Sequence, residues 1–128
     1  MKLICSMMIS LLLLPMIVKA ELPIKTGLYK PVSNQAYCWE EFRQGLDGEL
    51  IVVLVNTPTL PCERSGVMVK FQCKKNPDSF LFCENKVSDE LTNQLTFIND
   101  SSALQRIVRS GRTELEVLFE LAPTVVSP

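Results

Sequence analysis

The sequence predicts an all-β fold: a small antiparallel β-barrel or sandwich of six to eight strands, stapled by disulfides, with at most one short helix. Short runs of β-forming residues recur along the chain, and turn-forming residues separate them. Four cysteines lie in the part that follows an apolar N-terminal segment. The chain of 128 residues suits one domain. We expect residues 21–121 to form that domain and residues 122–128 to be a flexible tail.

The first 20 residues have the layout of a secretory signal peptide. Lys2 supplies a positive charge, Leu3 to Val18 form an apolar segment, and Val18-Lys19-Ala20 fits a small-x-small cleavage site. The apolar segment contains Pro15 and is shorter than the roughly 20 residues that a membrane-spanning helix needs. We therefore predict cleavage after Ala20 and export, to the periplasm or the extracellular space, of a chain without a membrane span.

The predicted mature chain is slightly acidic. The whole chain has 13 basic residues; two of them, Lys2 and Lys19, belong to the signal segment, which leaves 11 against 14 acidic residues and a net charge near −3. A protein that binds nucleic acid needs an excess of Lys and Arg to neutralise phosphates. We therefore expect no nucleic-acid partner.

The first half of the domain contains three predicted strands. "GLYKPV" (27–32) is the entering strand, "AYCWEEF" (36–42) is the second, and "RQGLDG" (43–48) provides a turn. "ELIVVLV" (49–55) carries the strongest β signal, and its continuous apolar run indicates a central strand or one that is buried on both faces. A loop with two prolines (56–66) follows it.

The next segment predicts a hairpin. Apolar and polar residues alternate from Val67 to Cys73, and the pattern resumes from Ser79 to Glu84 after Asn76-Pro77-Asp78. Proline cannot adopt the positive φ that a two-residue hairpin loop needs at its first position. We therefore predict a three-residue loop, 77–79, with proline in the favoured place of a type I turn.

The mature chain keeps four cysteines, an even number that predicts two disulfides in a small exported domain. They are Cys38, Cys62, Cys73 and Cys83. There is no Cys-x-x-Cys sequence and no histidine, so the usual spacings of zinc ligands and of redox-active thiols are missing. We expect structural bridges, and we expect neither a metal nor a cofactor.

The hairpin register helps to choose among the three connectivities that four cysteines allow. A loop at 77–79 places Cys73 directly opposite Cys83, within reach of a disulfide. This pairing leaves Cys38 for Cys62. A slip of one residue would turn Cys83 to the other face of the hairpin, which keeps the alternative connectivities open.

The last third contains two predicted strands and two ambiguous segments. The strands are "QLTFI" (94–98) and "ELEVLFEL" (114–121). Segment 87–94 is predicted to be a helical turn or a loop. Segment 100–111 begins with a candidate helix cap, Asp-Ser-Ser, and ends at a glycine, and we favour a short helix over a strand because three apolar residues have helical spacing: Leu104, Ile107 and Val108.

No arrangement of residues points to catalysis. Without histidine a Ser-His-Asp arrangement cannot form. Carboxylates cluster at Glu40-Glu41 and along one face of the last strand, at Glu114, Glu116 and Glu120. Paired carboxylates can act as acid and base when their pKa values differ, but we interpret these as a solvated face. We therefore expect a protein that is not an enzyme.

Other candidate residues are basic or aromatic. Arg106, Arg109 and Arg112 recur at intervals of three, and on a helix they would form a stripe for binding an anion or a partner. Trp39, beside Cys38, is a candidate for lining a ligand cavity or for packing against a disulfide. Asn99-Asp100-Ser101 is a glycosylation sequon, which matters if the source is a eukaryote that secretes the protein.

The outline is similar to that of the small periplasmic barrels that inhibit lysozymes, which present a Ser-Gly-containing loop to the enzyme's cleft. Ser65-Gly66 and Ser110-Gly111 precede β-like runs here, but the aromatic residue that follows Ser-Gly in that family is absent at both places. The similarity is one of architecture. It implies a domain that binds another macromolecule.

We predict a non-catalytic binding module for a protein partner, such as an inhibitor or an interaction factor. A rigid stapled scaffold with polar loops suits that role. The alternative is a small lipocalin-like carrier of an apolar ligand, lined by Trp39, Phe71 and Phe97. A domain of about a hundred residues this rich in Val, Leu and Phe is expected to fill its barrel with side chains, which favours the binding module.

Overall fold

The computed structural model describes residues 21–33, 37–56 and 62–123, and every regular element in these ranges is a β-strand. The predicted signal segment lies outside the described residues. The strands, in chain order, are β1 (Gly27–Pro31), β2 (Trp39–Gln44), β3 (Glu49–Val55), β4 (Met68–Asn76), β5 (Ser79–Lys86), β6 (Leu91–Asn99), β7 (Ser102–Arg109) and β8 (Arg112–Leu121). Each strand pairs antiparallel with the next, and β8 pairs with β1, so the sheet closes into a barrel. The predicted β fold is confirmed, and it is a barrel.

Successive side chains of a strand point alternately into the barrel and towards its outer face, and this alternation determines which side chains fill the interior. In β3, Leu50, Val52 and Leu54 are buried, whereas the residues between them are only half-buried. Of the two alternatives predicted for this strand, burial on both faces is therefore wrong, because a barrel has one interior and its outer face meets solvent. The inward residues of all eight strands form one core: Tyr29, Phe42, Leu50, Val52, Phe71, Leu81, Cys83, Leu95, Phe97, Ala103, Val117 and Phe119.

One end of the barrel, here called the closed end, is covered by the segment that precedes β1. Leu22 and Ile24 pack against the core. The Lys25 amide donates to the Asp100 carbonyl over 2.8 Å, and the Tyr29 hydroxyl donates to the Lys25 carbonyl over 2.6 Å. These contacts hold the segment across the barrel at the level of the tight β2–β3, β4–β5 and β6–β7 turns.

Aromatic rings fill the barrel beneath this cover. The Tyr29 and Phe42 rings stack with centroids 4.1 Å apart. Phe97 meets both of them edge-on, at 6.5 Å from Tyr29 and 5.8 Å from Phe42. Burial, with a smaller contribution from the Asp100 charge, raises the pKa of Tyr29 to about 12. The closed half of the barrel is thus a packed core.

Segment 100–111 is a strand and a turn, and the prediction of a short helix is wrong. Ala103 and Gln105 are buried and face the interior of β7, while Leu104 between them is half-buried. Ser110 and Gly111 join β7 to β8 with φ values of 49° and 81°, the positive values that a two-residue hairpin loop requires. The segment forms a strand instead of a helix because it pairs with β6 on one side and with β8 on the other. Among the described residues no helix is long and apolar enough to cross a membrane.

The β4–β5 hairpin has the predicted cysteine register and a different loop. Cys73 lies opposite Cys83, as predicted, but Asn76 lies opposite Ser79, so the loop has two residues, Pro77 and Asp78. The register shifts between Lys74 and Asn76, and this bulge absorbs the extra residue. The Asn76 side chain accepts a hydrogen bond from the Asp78 amide over 2.9 Å, which stabilises a turn that needs no positive φ.

Both predicted disulfides, Cys38–Cys62 and Cys73–Cys83, are present. Cys73–Cys83 joins adjacent strands within the barrel wall. Cys38–Cys62 joins the β1–β2 and β3–β4 connections at the end opposite the closed end, here called the open end. Disulfides of this kind indicate an oxidising compartment.

Removing either bridge is expected to lower the free energy of unfolding by about 2–4 kcal/mol. Cys38–Cys62 closes the longer stretch, with a sequence separation of 24 against 10, so its loss should cost about 0.8 kcal/mol more. Denaturant unfolding of a Cys38→Ala/Cys62→Ala variant and of a Cys73→Ala/Cys83→Ala variant measures both values. An unchanged midpoint for either variant would contradict a structural role for that bridge.

Candidate functional site

The open end of the barrel leads into a cavity of about 500 Å³. Its walls combine five apolar side chains with a few polar ones. The apolar residues are Val69, Val87, Leu91, Ile107 and Leu115, and the polar residues are Tyr37, Arg64, Asn85 and Asn93. Apolar walls with few polar groups are typical of small-molecule sites. The expectation that side chains fill the whole barrel is therefore wrong, because the core fills only the closed half.

A smaller recess of about 80 Å³ lies deeper in the barrel, and it shares wall residues with the cavity. The shared residues are Tyr37, Arg64, Val69, Asn93 and Ile107. The recess is also lined by Val52, Leu54 and Phe71 and by two buried polar residues, Glu40 and Gln105. We call these two residues the polar floor.

Glu40 faces the interior because it alternates with Trp39 and Glu41 along β2 and shares a face with Phe42. Its register partners on the neighbouring strands are Tyr29 and Leu54. The side chain is 2% exposed, and its Oε1 atom has no hydrogen-bond partner among the described residues. Burial raises the pKa of Glu40 to about 8, so most Glu40 side chains carry a proton at neutral pH.

Gln105 supplies the second half of the polar floor from β7. The residue is 4% exposed. Its Nε2 donates to Asn93 Oδ1 over 2.9 Å, and this bond fixes the amide with its oxygen free. Within the described ranges Gln105 Oε1 has no partner. The polar floor therefore presents two unpartnered oxygens, each of which costs about 1–3 kcal/mol if nothing binds to it.

The rim at the open end is organised by the Cys38–Cys62 bridge. Tyr37 precedes Cys38, and Arg64 follows Cys62 by two residues, so the bridge holds both side chains near the entrance. The Tyr37 ring meets Phe119 edge-on at 6.0 Å. Burial and then the Glu40 charge raise the pKa of Tyr37, and Arg64 opposes them. Tyr37 thus stands between the polar floor and the exposed arginine.

The structure separates the predicted arginine stripe from this cavity. Arg106 and Arg109 lie on β7 and Arg112 on β8, so the helical face that would have gathered them does not exist. Arg106 binds Glu116 over 2.7 Å on the outer face of the barrel, and Arg109, at the open-end terminus of β7, binds Glu114 over 2.6 Å; neither arginine lines the cavity. Exposed pairs of this kind contribute little to stability. A binding role for the three arginines stays a prediction.

The aromatic residues predicted to line a cavity divide into three positions. Phe71 lines the deep recess. Phe97 belongs to the packed core of the closed half. Trp39 is half-buried at the start of β2, opposite Val55, and alternates with the inward Glu40, which places it on the outer face.

The carboxylate prediction is right for β8 and wrong for β2. Glu114, Glu116 and Glu120 are exposed, as a solvated face requires. Glu40 is buried, although we interpreted it as solvated together with Glu41. The missed signal is the two-residue period of β2, because any register that buries Phe42 also buries Glu40.

Among the described residues no group of three His, Cys, Asp or Glu side chains could hold a metal ion. Comparisons with protein-family models, with curated proteins and with solved structures found no match to this chain. The function is therefore inferred from the geometry of the cavity.

Proposed function

We propose that this protein binds a small molecule with an apolar body in the cavity at the open end of the barrel, without catalysing a reaction. The observation that supports this most is the cavity of about 500 Å³ that ends on a polar floor. This proposal takes up the carrier alternative in preference to the macromolecular partner that the sequence favoured.

The energetics of the open half support a ligand. Covering the apolar walls with a ligand would stabilise the complex by a free energy of about 25 cal/mol for each Å² removed from water. The oxygens of the polar floor lie beneath those walls and lack partners among the described residues. A ligand with an apolar body and one polar head would satisfy both parts of the cavity.

The same proposal includes export by the N-terminal segment. The two disulfides fit an oxidising destination. A carrier outside the cell would protect a poorly soluble molecule from water. Asn99 is exposed near the closed end, so a glycan there would not obstruct the cavity.

Filling the cavity is expected to abolish binding. Ile107 lines both the cavity and the deep recess, and Ile107→Phe should place a ring where the ligand lies. The measurement uses an uncharged fluorescent reporter, N-phenyl-1-naphthylamine, which is titrated into the disulfide-bonded protein and then displaced by octanol. We expect the reporter to bind the natural protein, and we expect the affinity of the variant for the reporter to be at least about tenfold lower.

Leu104→Phe is the matched control, because Leu104 lies on the outer face of the same strand. It should bind the reporter like the natural protein. Equal binding by the Ile107→Phe and Leu104→Phe variants, or no binding by any of the three proteins, would contradict a ligand site in the cavity. Native mass spectrometry of the protein from its source would identify a molecule that co-purifies.

A second candidate function, binding of a protein partner, is supported by an apolar patch on the outer face of β2, β3 and β4. Met68 is 56% exposed. It adjoins three half-buried residues, Trp39, Val53 and Val55. Apolar patches on a small protein often mark interaction sites. A stoichiometric protein partner in a pull-down, with no small molecule bound, would favour this function.

A further inference from the structure

We infer that the ligand carries a basic amine, whose ammonium group binds Glu40 and Gln105 at the polar floor. This inference rests on the proposed ligand-binding function and names the chemistry of the ligand's head.

The polar floor itself contains no basic side chain, and its unpartnered atoms, Glu40 Oε1 and Gln105 Oε1, are both oxygens. One amide proton of Gln105 is already donated to Asn93 Oδ1. An ammonium group has several N–H donors and a positive charge, so it can bind both oxygens at once.

Arg64 lines both the cavity and the deep recess, but it is exposed, so water and salt screen its charge. The raised pKa of Glu40 has burial as its cause, whereas Tyr37, nearer the rim, responds to both Glu40 and Arg64. An anionic head would be drawn to Arg64 at the rim and would leave the polar floor unsatisfied. The buried carboxyl therefore favours a cationic head.

Binding of an ammonium ion is coupled to release of the Glu40 proton. Without ligand the folded protein holds that proton up to about pH 8; when the ammonium group enters, the proton leaves to water and an ion pair forms. An alkylamine resembles a lysine side chain and keeps its own proton well above this pH. Affinity should therefore rise about tenfold per pH unit towards pH 8 and then level off.

Other groups around Glu40 do not titrate in this window. Tyr29 and Tyr37, from β1 and from the β1–β2 connection, both have raised pKa values. The basic side chain at the recess, Arg64, belongs to a residue type that is not deprotonated in proteins. The remaining residues around the recess, on β3, β4, β6 and β7, are uncharged. A pH dependence between pH 6 and 8 would therefore report on Glu40.

The test compares octylamine, octanol and octanoate, which share a chain and differ in the head. Competition with the uncharged reporter at pH 8 should give octylamine at least about tenfold tighter binding than octanol, with octanoate weakest. Octylamine affinity should rise from pH 6 to 8, and octanol affinity should not. In a Glu40→Gln variant the ratio of octylamine to octanol affinity should fall to near one, whereas Glu41→Gln should keep the natural ratio.

The outcomes separate the two proposals. Octanol or octanoate bound as tightly as octylamine, or an octylamine affinity without the rise towards pH 8, would overturn the amine inference and leave the ligand-binding function standing. Failure of all three compounds to displace the reporter would overturn both. The pH series uses only the natural protein, so the inference stays testable even if the Glu40→Gln variant does not fold.

Discussion

Replacing Glu40 with Gln is expected to remove most of the loss of stability that the natural protein shows between about pH 4.5 and pH 8. In the unfolded chain the Glu40 carboxyl releases its proton near the ordinary value of 4.5, whereas in the folded barrel its pKa is about 8. Between these values the folded state binds more protons, so the free energy of unfolding falls as pH rises. The fall should be on the order of a few kcal/mol and end near pH 8.

Glutamine has the shape of the protonated carboxyl and carries no charge at any pH. The Glu40→Gln variant should therefore resemble the natural protein at pH 5 and be the more stable of the two at pH 8. Urea unfolding across this range, on protein freed of bound small molecules, gives the comparison. Glu41→Gln is the matched control, because Glu41 is the next residue, lies on the outer face and pairs with the exposed Arg43. A natural protein whose stability is flat over this range would contradict a buried, protonated Glu40.

The β-barrel could be predicted from the sequence because the patterns that indicate strands and turns are local. Alternation in "VKFQC" placed Phe71 and Cys73 on one face, and the opposite strand brought Cys83 to the same level. Segment 100–111 shows where local signals fail. Leu104, Ile107 and Val108 fit a helical period, but two long neighbouring strands supply partners for every backbone group of β7. Ser110 and Gly111 have the positive φ values that complete this hairpin. The dipeptide Ser-Gly is a sequence signal for such a turn, but we gave more weight to the helical spacing of the apolar residues.

The candidate site was harder to predict because it depends on closure of the barrel. Glu40 and Gln105 lie 65 positions apart in the chain. They line one recess only because the eight strands close into a barrel. Alternation predicts that Glu40 faces inward, but it cannot tell whether the inward side is packed or hollow. Composition suggested a filled barrel. The structure instead concentrates the large rings at the closed half, which leaves the open half for a ligand.

Because the large rings are concentrated in the closed half, we expect the largest loss of stability from a single substitution there, Phe42→Ala. Phe42 is fully buried, stacks on Tyr29 at 4.1 Å and meets Phe97 edge-on. Removing the ring leaves a void enclosed by rigid strands and loses two aromatic contacts, so the free energy of unfolding should fall by about 3–5 kcal/mol. Urea unfolding measures the change.

A matched pair of leucines tests the same asymmetry without a change in residue type. Leu50 is fully buried in the core, whereas Leu115 is half-buried and lines the cavity at the open end. Leu50→Ala should cost about 2–5 kcal/mol because it creates a new void, and Leu115→Ala should cost well under half of that because it only enlarges an existing space. Leu115→Ala should also alter affinity for the reporter, which Leu50→Ala should leave nearly unchanged. Equal stability costs at the two positions would mean that the open half is packed as tightly as the closed half, and the cavity that the proposed function requires would not exist in solution.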